Sequence, residues 1–459
     1  MLADRFGRFA AMVTVASLPR DAAAAIRLRV LDTLGAGLAG VHLGHHRVLA
    51  PILESRGGVR VWGEQDGRSP REAALVNSFA THSTYLEDGS RYTGGHPSSV
   101  VIPAVLADAE ARGSSGAEII AAVAVGYEVF LRLGRAIYPA CVQRGFQSTA
   151  VLGSVSAAAA IARLRGLSAA ACAHAISIAA NLGIGFKEAL KSSTIQPIQV
   201  ARACEAGMVA AALAEAGHAG APLVLEKGFL PGFGDHPEAD AADIAASVVE
   251  GLGVDYRIAE TYLKRHAGCR GNHAPLDAAL ELVAAGRLGA DDVKQVRVAV
   301  DSVTRAAAIE PPTNAEAAQF SIGFSVALAL VEGEASIFQY TDAKLQDPAV
   351  RSMMARCEVL VDPALDERYP NERGAWVEVE WVSGGKVRHA VANARGEPEW
   401  PLSQAEVERK FMALASPRLG AGGAASLRDA VARLDDIDAR IVAGLLAPHD
   451  ATKNQQETT

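Results

Sequence analysis

The sequence predicts a mainly α-helical protein, with a large all-helical domain and a smaller α+β domain. Three observations lead there. Half of the residues are apolar, and alanine supplies much of that share. Apolar residues recur at helical spacing in segment after segment up to Leu252, whereas period-2 alternation first appears after Asp292. Alanine is the strongest helix former and lets helices pack closely, so runs such as 121–125 and 157–162 belong to a helical body.

The elements follow in order. Helical spacing covers 22–38, and Gly35, Gly37 and Gly40 read as its C-terminal stop. A second helix covers 72–85, followed by 100–111, 117–133, 149–164, 169–182, 200–216 and 241–252, so everything up to Leu252 reads as all-α. The stretch 293–303 alternates polar and β-branched residues as a half-buried strand does. A β-hairpin is clearer still: W-V-E-V-E-W over 376–381, a turn at Ser383-Gly384-Gly385-Lys386, and a return strand over 387–391. Helical spacing returns at 276–285, 317–331, 403–415 and 426–445. The expected organisation is a helical domain over 1–268, completed by C-terminal helices over 400–446, with an α+β domain over 269–399 and a disordered tail over 447–459.

Composition excludes several functions. A net charge of -8 without a basic block argues against nucleic-acid binding. No apolar run approaches the roughly 20 residues that span a bilayer, and the first residues lack the pattern of a signal peptide. The expected location is the cytoplasm, without membrane contact. Five widely spaced cysteines with no CxxC pair argue against a disulfide framework and a structural zinc site. Gly37-Leu38-Ala39-Gly40 follows a helix, so no nucleotide-binding loop is supported.

The segment from His82 to Ser99 concentrates groups that are costly to bury: His82, Glu87, Asp88, Ser90, Arg91, Thr93 and His96. It reads as a helix ending in two adjacent carboxylates, a glycine-bearing loop, and Ser98-Ser99 as N-caps of the next helix. Such a loop brings an acid, a hydroxyl and an imidazole around one point. The plainer reading is a solvated helix end with a satisfied loop histidine. A metal reading through His82, Asp88 and His96 matches no established ligand spacing. A second cluster runs from Lys264 to His273 and holds Lys264, Arg265, His266, Cys269, Arg270 and His273. It suits a small polyanion at a domain seam, against the alternative of a solvated junction with an inert thiol.

Ala74-Leu75-Val76-Asn77, His82, Leu86-Glu87-Asp88-Gly89 and His96-Pro97-Ser98 together resemble the signature loop of the MmgE/PrpD family, which contains 2-methylcitrate dehydratases, cis-aconitate decarboxylases and iminodisuccinate epimerase. The resemblance continues in order through Gly145-Phe146-Gln147-Ser148-Thr149, Gln199-Val200-Ala201-Arg202-Ala203, Lys264 with Cys269 and His273, Ala318-Gln319-Phe320-Ser321 and the stretch 396–411. It implies a large helical domain plus an α+β lid with the active site between them, no metal or organic cofactor, and a homodimer. The implied chemistry is proton removal next to a carboxylate of a di- or tricarboxylic acid, then loss of water, loss of CO2, or return of the proton.

Carried over residue by residue, the resemblance makes Asp88 and His96 the acid/base unit and Lys264 a carboxylate ligand. Cys269 or His273 would serve the opposite face. Glu87 stands where a paired aspartate is usual. Ser90, Arg91, Gln147, Ser148, Gln196, Gln199 and Arg270 complete the expected substrate contacts. Four positions depart from the pattern: Gln147 for a frequent catalytic histidine, Gln196 near an expected lysine, Cys269 for the histidine of the decarboxylases, and Phe324 for a tyrosine. These departures point away from decarboxylation and towards a dehydratase-like or epimerase-like reaction on a small polycarboxylate. The reading from another class is a non-catalytic polycarboxylate binder of the same fold, and a metal-dependent hydrolase is the third.

Overall fold

The computed structural model describes residues 1–191, 195–235, 241–285 and 292–448. Most of the expected tail therefore lies outside the described residues. The chain forms two compact units, one of residues 1–83, 87–261 and 403 onward, the other of residues 84–86 and 262–402.

In the first unit the Gly116–Ile137 helix is buried on almost every side, among the Ser98–Arg112, Ser148–Leu164 and Arg20–His42 helices. Alanine and glycine permit this density. A Cβ on Gly153 would meet Val100 at 3.0 Å, and one on Gly207 would meet Ala157 at 2.4 Å. The Gly116–Ile137 helix starts on a sequence signal, a capping box formed by Ser115 and Glu118. A buried ion pair, Arg132 to Glu128 at 2.8 Å, also binds the carbonyls of Glu250 and Asp255 and so fixes the chain beyond the Ala241–Val248 helix.

Several boundaries differ from the sequence reading. The first long helix runs from Arg20 to His42, straight through the three glycines. They are contact points instead of a stop: a Cβ on Gly40 would lie 2.1 Å from the carbonyl oxygen of Ala80, and one on Gly37 2.5 Å from the Trp62 ring. The region before Leu252 is not purely helical either, since Val59–Arg60 and Gly67–Arg68 pair as a short antiparallel ribbon. The C-terminal helix, Gln404–Ala432, is continuous except at Gly420, whose φ of 70° breaks it, and Ala439–Leu445 follows separately. It lies along the Arg20–His42 helix, where Lys410 pairs with buried Asp32 at 2.7 Å.

The second unit is built on a four-stranded mixed sheet in the order Cys357–Val361, Val293–Val300, Ala375–Trp381, Lys386–Val391. The hairpin pairs Val377 with His389 and Val379 with Val387. Val377 and Val379 are buried under the His273–Ala284 helix, while Glu378 and Glu380 point outward to Arg297, Lys386 and Arg388. Cys357–Val361 joins Val293–Val300 in parallel and carries no alternating pattern to announce it. The strand at 293 ends at Val300 because Asp301 caps the Ser302–Ala307 helix through the backbone N–H of Thr304. The expected helix over 317–331 is two, Ala315–Ala318 and Ile322–Glu332, separated where Ser321 turns extended and caps the second.

Candidate functional site

In the first unit the Pro70–His82 helix is capped by Ser69, whose hydroxyl accepts from the backbone of Glu72, and it ends at His82. The two carboxylates therefore follow the helix end by several residues. Tyr85 takes a left-handed φ of 48°, rare for a non-glycine residue, at the turn towards Glu87. The loop then closes on itself, the N–H of Ser90 donating to the carbonyl of Gly95 at 3.0 Å and that of Gly94 to Ser90 at 2.9 Å. The Ser148–Leu164 helix clamps it from outside: Ser148 donates to the carbonyl of Gly94 at 3.0 Å, and the N–H of His96 donates to the Thr149 hydroxyl at 3.1 Å.

The closed loop sets His96 against Glu87. Nδ1 of His96 donates to the backbone carbonyl of Asp88 at 2.6 Å and lies 3.6 Å from Oε1 of Glu87. That bond places the proton of the neutral ring on Nδ1 and leaves the lone pair on Nε2. Glu87 is fully buried and also sits 2.9 Å from Nδ1 of His82, whose ring meets that of His96 edge-on at 5.6 Å. The pairing of Asp88 with His96 as an acid/base unit is thus corrected, because only the backbone of Asp88 reaches the imidazole. Its carboxylate accepts from the Ser98 N–H at 3.1 Å and the Tyr127 hydroxyl at 2.8 Å, and it caps the Ser98–Arg112 helix in place of the expected serines. Burial raises the pKa of Asp88 against the opposing charge of Arg29. A solvated helix end is excluded for both carboxylates, and His82, Asp88 and His96 do not converge as metal ligands.

Several expected substrate contacts belong to the scaffold around this loop. Gln147 caps its helix, Oε1 accepting from Ala150 N at 2.6 Å, and its own N–H donates to the carbonyl of Gly185. Gln199 donates to the carbonyl of Phe186 at 3.4 Å. Gln196 is buried just before the Ile198–Glu215 helix, where its carbonyl accepts from the backbone of Gln199. The Ser90 hydroxyl accepts from Tyr92 N, and Arg91 stacks on the Tyr92 ring at 5.1 Å.

In the second unit, glycine and asparagine shape the loop from Lys264 to His273. Gly268 has φ 99°, and a Cβ there would lie 2.5 Å from the carbonyl oxygen of Gln319. The same carbonyl accepts from the Cys269 backbone at 2.8 Å and from the Asn272 side chain at 3.0 Å, which ties the loop to the 319–325 segment. Lys264 is buried, with Nζ donating to the carbonyl of Tyr85 at 2.9 Å. Arg270 lies over the Tyr262 ring and gives Nε and Nη2 to Glu397 at 2.8 and 2.6 Å, while its buried Nη1 has no partner.

His273 is buried with no well-formed hydrogen bond at either ring nitrogen. Burial first, then the charges of Arg270, His266 and Lys264, hold its pKa well below the usual histidine range, so the ring is neutral. His266 bonds Asp277 at 2.9 Å; burial pushes the Asp277 pKa up, but this bond and the nearby cations outweigh it and leave the pKa lowered. Cys269 is half-buried, and Phe324 packs on Tyr340. Among the described residues no three His, Cys, Asp or Glu side chains converge to hold a metal, and no helix is long and apolar enough to cross a membrane.

Sequence reasoning leaves Glu87, Tyr127, Glu397 and Arg29 without assigned roles. Only Glu87 carries a local signal, its adjacency to Asp88.

Two family models match the chain, and the second extends past residue 402 into the C-terminal helix of the first unit. The MmgE/PrpD N-terminal domain matches residues 4–242 and the MmgE/PrpD C-terminal domain residues 266–436. A cis-aconitate decarboxylase-like protein of Aspergillus oryzae is 28% identical, with 87% of each chain covered. The cis-aconitate decarboxylase of Homo sapiens is 27% identical over 89% of this chain and 86% of its own, and that of Aspergillus terreus is 25% identical over 91% and 90%.

Proposed function

We propose, from the premise that this chain belongs to the MmgE/PrpD family, that it is a cofactor-independent lyase acting on a small tricarboxylic acid. The reaction is a dehydration: His96 removes a proton from the carbon next to a carboxylate and, as the imidazolium, gives it to the adjacent hydroxyl, which leaves as water while a carbon–carbon double bond forms. The observation that carries the proposal is the imidazole of His96, whose Nδ1 is pinned to the Asp88 carbonyl while the buried Glu87 carboxylate stands ready to stabilise the imidazolium. Lys264 and Nη1 of Arg270 supply the positive charge that carboxylates and an enolate-like intermediate require. Delivery of a proton to the opposite face by the Cys269 thiol, with the hydroxyl retained, would make the same groups an epimerase; His273, held neutral, could act there only as the base.

Decarboxylation is the second reading, favoured by the names of the curated relatives, which align over 86–90% of their own length. Gln147 argues against a decarboxylation that moves a proton through that position, since its amide oxygen caps a helix and an amide cannot shuttle a proton.

The test incubates the wild type, His96→Ala and Lys264→Ala with 2-methylcitrate, citrate, cis-aconitate and iminodisuccinate in deuterated buffer. Alkene absorbance, CO2 release and deuterium at the acidic carbon report dehydration, decarboxylation and epimerisation. Dehydration lost in both variants is expected; unchanged turnover in both overturns the proposal.

A further inference from the structure

Two guanidiniums of the second unit flank one turn. Arg270 opens it, held by Glu397 through two nitrogens and keeping a third, Nη1, buried and unpartnered in a side chain only 6% exposed. Arg373 approaches from the residues just before the Ala375–Trp381 strand. Its backbone N–H donates to Asn393, and its Nε donates to the Thr304 hydroxyl at 2.9 Å. That hydroxyl donates in turn to Asp301 at 2.6 Å, whose other oxygen accepts from Thr304 N at 2.8 Å.

The chain of bonds aims Arg373 without neutralising it. The partner of its side chain is a hydroxyl, and among the described residues it forms no ion pair with a carboxylate. An arginine fixed by bonds of this kind, with its nearest carboxylate one hydroxyl away, is the arrangement that preorganises a carboxylate site.

The point at which it is aimed is Gly271. A Cβ built there would lie 3.5 Å from Nη2 of Arg373 and 2.7 Å from Cγ2 of Thr304, so only glycine leaves the guanidinium face open. Tyr262 lies near both cations: Arg270 stacks on its ring at 4.7 Å, and its phenol is among the groups within electrostatic reach of Arg373, after Cys269, Tyr369 and Asp301. His273, neutral and short of hydrogen-bond partners, stands three residues on from Arg270.

We propose that Arg373 and Nη1 of Arg270 form a carboxylate subsite across the 269–271 turn, holding one carboxylate of a polycarboxylate beside Cys269. This rests on the tricarboxylate reading above and names the group that selects for it. A planar guanidinium presents two parallel donors that match a carboxylate, a geometry that lysine does not reproduce.

The experiment uses the full chain and a saturated, unreactive tricarboxylate, tricarballylate, so that no turnover is needed. Iodoacetamide labelling of Cys269 is followed by mass spectrometry with and without the probe, and calorimetry gives its Kd. Tricarballylate should slow labelling of Cys269 and leave that of Cys357 unchanged. Arg373→Gln should raise Kd by about 10–100-fold, the scale of a lost charge-assisted contact, and abolish protection. Arg373→Lys should restore part of it. Thr304→Val, which removes the aiming hydroxyl, should fall between and serves if Arg373→Gln fails to fold. No protection in the wild type, or equal protection in wild type and Arg373→Gln, overturns the subsite. Arg373-dependent protection in a protein that turns over none of the acids would leave the subsite standing and the lyase reading fallen.

Discussion

At the residue scale, two adjacent carboxylates have separated roles. Glu87 faces His82 and His96, and its loss should act on chemistry. Glu87→Gln keeps the shape but removes the charge that stabilises an imidazolium, so kcat should fall by about 10²-fold or more with KM little changed, read from initial rates. Asp88 acts on stability instead. Its folded pKa is raised by burial above the ordinary aspartate value of 3.8, so the protonated form is favoured by folding. That contribution is complete below about pH 4 and is lost as pH rises through the folded pKa. Asp88→Asn mimics the protonated acid, can still accept from Ser98 N, and should be unfolded by urea with a flatter pH dependence than the wild type above about pH 4. A steeper one would contradict the assignment. Sequence spacing cannot divide these roles, because two neighbouring residues differ in little but the direction of their side chains.

At the element scale, glycine shows why helices are legible in a sequence and their ends are not. Periodicity depends on which face is buried, and that information is local, so nearly every long helix of the first unit can be read from it. A glycine inside such a pattern signals either a stop or a close approach, and only the partner decides. Gly40 meets the backbone of Ala80, which cannot move aside, so Gly40→Ala should destabilise by about 1–3 kcal/mol or more and disturb the helix that carries His82. Gly422 lies inside the Gln404–Ala432 helix, where an added methyl group would meet nothing within 4 Å. Gly422→Ala should stabilise by about 0.5–1 kcal/mol. Chemical denaturation of the two variants tests both signs. The strand Cys357–Val361 escapes a sequence reading for the opposite reason, since a short parallel strand lacks both alternation and a turn signal.

At the scale of the whole molecule, the first unit's signature is contiguous in sequence and the second unit's is scattered. Loop residues 87–96 advertise themselves as a cluster, whereas Arg373, Thr304 and Glu397 reach the 269–271 turn from distant parts of the chain. A net charge of -8 makes Arg373, with no carboxylate ion pair among the described residues, and the open Nη1 of Arg270 the features a polyanion would seek. Binding to the folded chain alone must then appear as stability: tricarballylate at about 100 times its Kd should add about 2.7 kcal/mol and raise the melting temperature by a few degrees. A monocarboxylate such as acetate at equal ionic strength should add far less, because it cannot occupy Lys264 and the arginine turn together. Since the proposed reaction draws its positive charge from these side chains, EDTA should alter neither the ligand-induced shift nor turnover. A melting shift that disappears with EDTA and returns with a divalent metal would transfer the carboxylate-binding role from the arginines to an ion.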